Sequence, residues 1–415
     1  MQIAGVESCD PPPFPASASS SRGDAVAGDP PFLWTRLPPR GDPPPPLCCH
    51  SLVSYQDRFL VCFGGGSGGG GDGGGFNRVH VLDLETGGWV EVAAGNAAVV
   101  RPRVSHSAVI YRDRMIVYGG HAPDGPGCFR DVLSLDLRRW VWTHVQEAAG
   151  EPGGPGARYL HAAHVHRDRM YVLMGRPTAT TAMFWYLDLL DYRWREVRMP
   201  PPSAAGGIKF PLVGHAAAVE GRFLYVFGGY YHKASSHYPY APESYSGGVY
   251  RYDFEKDLWW QPFLAHPVQP PGRYACAMAV KAGRVFIFGG DAHKCTVYYD
   301  DFWVLDTTVA QPRWREVWRG ASDRGRPSPR SGVAYTVARD ALYILGGEIP
   351  SGDSERVRYT NELYRYPLGF STQISLAENT ARWLSTIPLR SVTASLYFPR
   401  LPPSALRLLD GYIPR

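Results

Sequence analysis

Read for hydrophobic and polar positions, the chain is built from short apolar runs of about five residues, rich in β-branched and aromatic side chains, that stop on glycine. The run returns six times: Cys62-Phe63-Gly64-Gly65, Val117-Tyr118-Gly119-Gly120, Leu173-Met174-Gly175-Arg176, Val226-Phe227-Gly228-Gly229, Ile287-Phe288-Gly289-Gly290 and Ile344-Leu345-Gly346-Gly347. Taking the first glycine of each, with Arg176 standing in for the second one in the third copy, the spacings are 55, 56, 53, 61 and 57 residues. Runs this short predict strands, and a period of roughly 50 residues predicts propeller-type repeats.

Each copy can be written as a strand opening with His and small residues, a turn, the strand that ends in glycine, a loop, a strand ending near Asp, and then Trp. The Trp follows six residues after Asp83, Asp136, Asp188 and Asp253, and eight after Asp306, where Gln311-Pro312 lengthens the unit. Four short strands per unit predict one antiparallel sheet per repeat. The glycines permit positive φ and close backbone approach near a central axis, while the Trp supplies an apolar face between sheets. His50, His106, His161 and His215 share one repeat position and read as framework residues. The sixth copy, from Arg330, has Pro367 at the Asp position and no Trp in register, so its fourth strand is missing. Trp34-Thr35-Arg36-Leu37 has the shape of Trp194-Arg195-Glu196-Val197 and is expected to supply that strand, closing the ring and hiding its edges. The predicted fold class is all-β: a six-bladed β-propeller closed by an N-terminal strand, with a short C-terminal α-helical tail.

Composition adds boundaries. Residues 1–31 are dominated by Pro, Ser, Ala and Gly and are expected to be disordered; the propeller occupies 32–370 and the tail 371–415. The formal charge of +5 comes from 43 basic and 38 acidic residues without a basic run, which gives no support to nucleic-acid binding. Seven cysteines without repeated spacing argue against a disulfide framework. The first residues lack a signal-peptide pattern and no apolar run approaches about 18 residues, so neither secretion nor a membrane is indicated and a cytoplasmic or nuclear location is expected.

The repeats resemble kelch repeats over about residues 32 to 368. In the tail, Leu376, Thr380 and Leu384 fall on one helical face, and a second amphipathic piece runs from Leu401-Pro402 through Leu406. These segments resemble the elongin-binding and cullin boxes of SOCS-box-type adaptors, with Thr380 at the place of the usual Cys. Propeller and tail together resemble the kelch domain-containing substrate receptors of elongin–cullin ubiquitin ligases, of the kelch domain-containing protein 10 type. The resemblance implies a substrate-receptor subunit whose propeller binds a C-terminal peptide degron. Its tail would bind elongin B/C and cullin 2 or 5, the chemistry of ubiquitin transfer residing in those partners, with no cofactor and no metal. A tail that only packs on a scaffold propeller is the plainer alternative.

One constellation fits a degron pocket. Three residues before the repeated His, or its equivalent, stand Arg103, Arg158, Arg273 and Arg330, with Leu47 and Leu212 at the other two places. Equivalent positions form a ring, so the four guanidiniums are expected to converge on one channel mouth, where Arg matches a carboxylate bidentately. Tyr159, Tyr274 and Ser331 follow three of them and could add hydroxyls and apolar walls, as could the Tyr-rich loop 230–245. The competing reading is that these arginines brace the blades through carbonyls and Asp side chains. Enzyme readings find less: His161, His164 and His166 look like a metal cluster, but a strand puts the latter two opposite the first. Cys48-Cys49 reads as small packing residues, and the remaining alternative is a propeller metalloenzyme with an unrecognised site.

Overall fold

The computed structural model describes residues 34–369 except 68–75, 124, 126, 147–152, 179–181, 200–211, 232–244, 262–267, 293–295, 318–324 and 352–356. Six four-stranded antiparallel sheets follow one another along the chain, each ordered from the axis outward. Blade 1 comprises Ser51–Tyr55, Phe59–Phe63, Val79–Asp83 and Gly88–Val92. The innermost strands of blades 2 to 6 are Ser107–Tyr111, Ala162–His166, Ala216–Glu220, Ala277–Lys281 and Ala334–Ala338. Thr35–Leu37 is the outermost strand of blade 6, antiparallel to Leu363–Pro367 with Thr35 opposite Arg365 and Leu37 opposite Leu363. The expected closure is therefore the one the chain adopts. The tail residues Leu376, Thr380, Leu384, Leu401, Pro402 and Leu406 lie outside the described residues.

The core sits between blades, and the repeated residue types explain its order. The aromatic residue that ends the second strand of one blade meets the Trp of the next: Phe63 with Trp142 at 4.9 Å between ring centroids, Tyr118 with Trp194 at 5.0 Å, Phe227 with Trp314 at 5.6 Å. Phe288 meets Trp34 at 5.0 Å, so the N-terminal strand brings the sixth Trp as well as the missing hydrogen bonds. These contacts bury large aromatic area in edge or tilted geometry.

The first glycine makes room for the framework His of the following blade. A Cβ on Gly64, which has φ +71°, would lie 2.6 Å from His106 Cε1. The His rings are buried and in turn hold the preceding blade: His106 Nε2 lies 3.0 Å from Ser51 Oγ, and His161 Nε2 lies 2.9 Å from Ser107 Oγ. The third copy corrects the alignment read from the sequence. Leu173, and not Met174, ends the strand opposite Ala162, as Tyr118 does opposite Ser107. Met174 therefore takes the first glycine's place with φ 53°, and Gly175 is the second glycine. Arg176 replaces nothing; it is the residue after the pair.

Candidate protein-binding face

Where the chain enters each innermost strand, one residue per blade adopts the left-handed region: Cys49, Ser105, Leu160, Gly214, Ala275 and Gly332, with φ between 51° and 65°. That turn aims each backbone N–H at the previous blade. Ser105 donates to Cys49 at 2.8 Å, Leu160 to Ser105 at 3.0 Å, Gly214 to Leu160 at 3.0 Å, Ala275 to Gly214 at 2.8 Å, Gly332 to Ala275 at 3.1 Å, and Cys49 back to Gly332 at 2.9 Å. A closed circle of six amide hydrogen bonds thus surrounds the channel at the loop face.

The four arginines stand one level outside this circle, and they do not line the mouth. Arg103, Arg158, Arg273 and Arg330 are each fully buried. Arg103 grips Asp131 bidentately at 3.0 and 2.9 Å and donates to the Gly119 carbonyl at 3.0 Å. Arg273 does the same with Asp301 and the Gly289 carbonyl. Arg330 holds Glu362 at 2.8 Å and the Gly346 carbonyl at 3.3 Å. Arg158 donates to the carbonyls of Pro155, Met174 and Ala182, and burial pulls it below the usual guanidinium range. Each side chain ties the entry of its own blade to that blade's loop after the second strand. Each backbone carbonyl accepts the N–H of the preceding blade's second glycine, as Arg103 does from Gly65 at 2.9 Å. Leu47 and Leu212 repeat the backbone half of this arrangement toward Gly347 and Gly175. Bracing is the role the geometry gives these arginines, because a guanidinium with no exposed surface cannot meet a ligand.

The variable chemistry lies on the residue after each glycine pair, which pairs with the residue after each Arg or Leu; of these six, Arg176 is exposed, His121, Tyr230 and Glu348 are half-buried, and Asp291 and Gly66 are buried. The six bridges are Cys48 with Gly66, Val104 with His121, Tyr159 with Arg176, Val213 with Tyr230, Tyr274 with Asp291, and Ser331 with Glu348. Read around the ring the outer members run Gly66, His121, Arg176, Tyr230, Asp291 and Glu348. In a six-membered ring blade 3 faces blade 6, so Arg176 and Glu348 stand opposite one another.

Tyr159 lies between His121 and Arg176, with its ring 5.3 Å from the His121 ring and 5.7 Å from the exposed Arg176 guanidinium. Tyr274 packs on Tyr230 at 5.6 Å. Ser331 is buried and donates its hydroxyl to Asp291, while Tyr298 donates to Glu348 at 3.1 Å. Tyr159 and Tyr274 are thus half-buried walls of this face, Ser331 belongs to its frame, and most of the 230–245 loop lies outside the described residues. Arg176 is hidden in the sequence because Met174 puts the third copy one residue out of phase, whereas His121 sits in a copy whose register is plain and carries no motif of its own. The available signal was the position after the glycine pair, which varies in charge while its neighbours repeat.

Two cavities occupy the channel, one of about 210 Å³ inside the loop face and one of about 600 Å³ toward the hairpin face. Tyr335 lines both, and its hydroxyl donates to the Ala217 carbonyl at 3.3 Å and accepts the Ala217 N–H at 3.2 Å, reaching blade 4 from blade 6. His164 faces the same space as a neutral imidazole, its pKa lowered to about 4 by burial. Among the described residues no group of three or more His, Cys, Asp or Glu is placed to hold a metal ion, and no described helix is long and apolar enough to cross a membrane.

The KLHDC2/KLHL20/DRC7 Kelch-repeats domain matches residues 32–229 and 214–382. Leucine-zipper-like transcriptional regulator 1 homolog of Drosophila melanogaster is 29% identical over 268 residues, covering 62% of this chain and 25% of that protein. Kelch domain-containing protein 3 of Homo sapiens is 24% identical over 298 residues, 66% of this chain and 70% of that one. The N-(sulfonatooxy)prop-2-enimidothioate sulfolyase of Thlaspi arvense is 26% identical over 369 residues, 82% of this chain and 98% of the enzyme. The chain spans only a quarter of the fly protein's length.

Proposed function

The chain belongs to the kelch-repeat propellers of the KLHDC2/KLHL20/DRC7 type, and from that premise we propose that it is a non-catalytic adaptor, the substrate receptor of a cullin–RING ubiquitin ligase. The propeller captures the C-terminal peptide of a protein on its loop face, and the tail joins it to elongin B/C and a cullin through Leu376, Thr380, Leu384, Leu401, Pro402 and Leu406. The observation that carries the reading is the exposed Arg176 beside Tyr159 on the loop face. Arg176, and not the four buried arginines, takes the anchoring role, since its exposed planar fork suits a terminal carboxylate.

The test compares one peptide with a free C-terminus against its amide. Charge-assisted hydrogen bonds of roughly 1.5–3 kcal/mol make Arg176→Ala cost about ten- to a hundredfold in affinity for the acid, with the amide unaffected and Lys a poor substitute. Equal acid and amide affinities in the parent would sink the carboxylate reading. For the tail, Leu376→Ala with Leu384→Ala in the full chain should abolish elongin copurification and leave melting unchanged.

An enzyme reading is favoured by one observation, the near full-length similarity to the Thlaspi sulfolyase. Stoichiometric metal in purified protein, lost on mutation of channel residues, would support it over the adaptor.

A further inference from the structure

Two adjacent cysteines stand at the same channel mouth, in the blade whose outer ring position is the uncharged Gly66. Cys48 and Cys49 are free and half-buried. Cys48 is pinned by its bridge to Gly66, donating at 2.9 Å and accepting at 3.1 Å. Cys49 is a link of the amide circle, donating to Gly332 at 2.9 Å and accepting from Ser105 at 2.8 Å. Hydrogen bonds on both residues therefore fix the backbone that carries the two thiols.

The space beside them is open. Four of the other five members of the circle are Ser105, Gly214, Ala275 and Gly332, too small to cover a sulfur, and Cys49 lines the cavity of about 210 Å³. Gly332 is the nearest cover: a Cβ added there would lie 3.4 Å from Cys49 Sγ and 3.5 Å from Cys48 Cβ, ordinary contact distances. Gly332 faces both residues at once, so the Cys48 and Cys49 side chains flank one opening of the ring.

We propose that Cys48 and Cys49 form a vicinal-dithiol site for trivalent organoarsenicals at the loop-face mouth of the channel. Soft thiolate ligands select such thiophilic centres. With an arsenoxide, the As=O bond breaks, two As–S bonds form, and the oxygen leaves as water carrying both thiol protons. Arsenic stays trivalent, so no oxidant or reductant is consumed. Holding both thiols in one place makes the second As–S bond intramolecular, which is what separates this pair from any single cysteine. Cys62 and Cys276 are buried within the blades, and Cys128 stands elsewhere on the loop face, bridged to His121.

The probe is phenylarsine oxide, added to the full-length protein in excess 2-mercaptoethanol and read by intact mass. The parent should keep one equivalent, released only by a dithiol such as 2,3-dimercaptopropanol. In Cys48→Ser or Cys49→Ser the adduct should be lost to the monothiol about a hundredfold more readily, while Cys128→Ser should behave as the parent. Because either Ser variant could disturb the amide circle, maleimide footprinting of the parent gives a second reading: the arsenical should protect Cys48 and Cys49 together. Absence of a monothiol-resistant adduct in the parent, full retention in either Ser variant, or protection confined to other cysteines would each overturn the assignment.

Discussion

Replacing Arg103 by Met tests whether these arginines are structural. The guanidinium has no exposed surface, donates twice into Asp131 and once into the Gly119 carbonyl, and lies 4.5 Å above the Phe129 ring. Methionine fills much of the volume and leaves the Asp131 side chain, itself only 3% exposed, as a buried carboxylate without its counter-charge. Breaking a buried pair from one side costs about 3–5 kcal/mol. Removing both partners, in Arg103→Met with Asp131→Leu, eliminates the stranded charge and should recover most of the loss. Arg158→Met makes a graded comparison: its acceptors include three backbone carbonyls, and stranding neutral groups costs about 1–3 kcal/mol. The assay is equilibrium denaturation followed by tryptophan fluorescence, with peptide affinity measured in parallel. The reasoning fails if Arg103→Met costs under about 1 kcal/mol, if the double variant is no more stable than the single, or if Arg103→Met weakens peptide binding at unchanged stability.

The framework histidines predict acid sensitivity. Burial lowers His50 and His106 to about 3 and His215 to about 4. The unfolded chain therefore takes up protons first, and the stability they contribute is whole above about pH 6.5 and is lost as pH falls toward the folded values. The unfolding free energy should drop between pH 7 and 5, by up to about 2 kcal/mol per buried His, and His106→Gln should flatten that slope; an unchanged slope would refute it. Deleting residues 1–37 should lower the melting temperature sharply, because Trp34 and a strand are lost, whereas deleting 1–31 should leave it unchanged; identical melting of the two truncations would contradict the closure. Tyr335→Phe should cost about 1 kcal/mol for the lost hydroxyl bonds, read by denaturation, and no change would mean the bridge to Ala217 contributes nothing.

The architecture was legible because its determinants are local and repeated: a strand of five residues, glycine, and a Trp at fixed distance. Closure by Trp34-Thr35-Arg36-Leu37 could be read because the sixth copy lacked what that segment carried. The binding face was less legible. Spacing placed the four arginines in a ring, but the direction of a side chain depends on its partners, and Asp131, Asp301 and Glu362 are 28 to 32 residues away in stretches without an obvious motif. Met174 hid the register of the third copy, since a non-glycine with φ 53° is held there by its surroundings and leaves no trace in composition. Cys48-Cys49 passed for packing because nothing in a linear chain reveals that four of the five other positions in their circle carry small residues.

The join between Thr35–Leu37 and Leu363–Pro367 also has a meaning in time. On a ribosome the strand that completes blade 6 is made first, yet its partner emerges more than three hundred residues later. Throughout that interval Trp34 has no slot, because the Phe302 and Tyr366 rings it rests against have not both been made. The nascent chain must keep a tryptophan and an unpaired strand out of other company until the final blade arrives, and the same event that ends folding removes both liabilities at once.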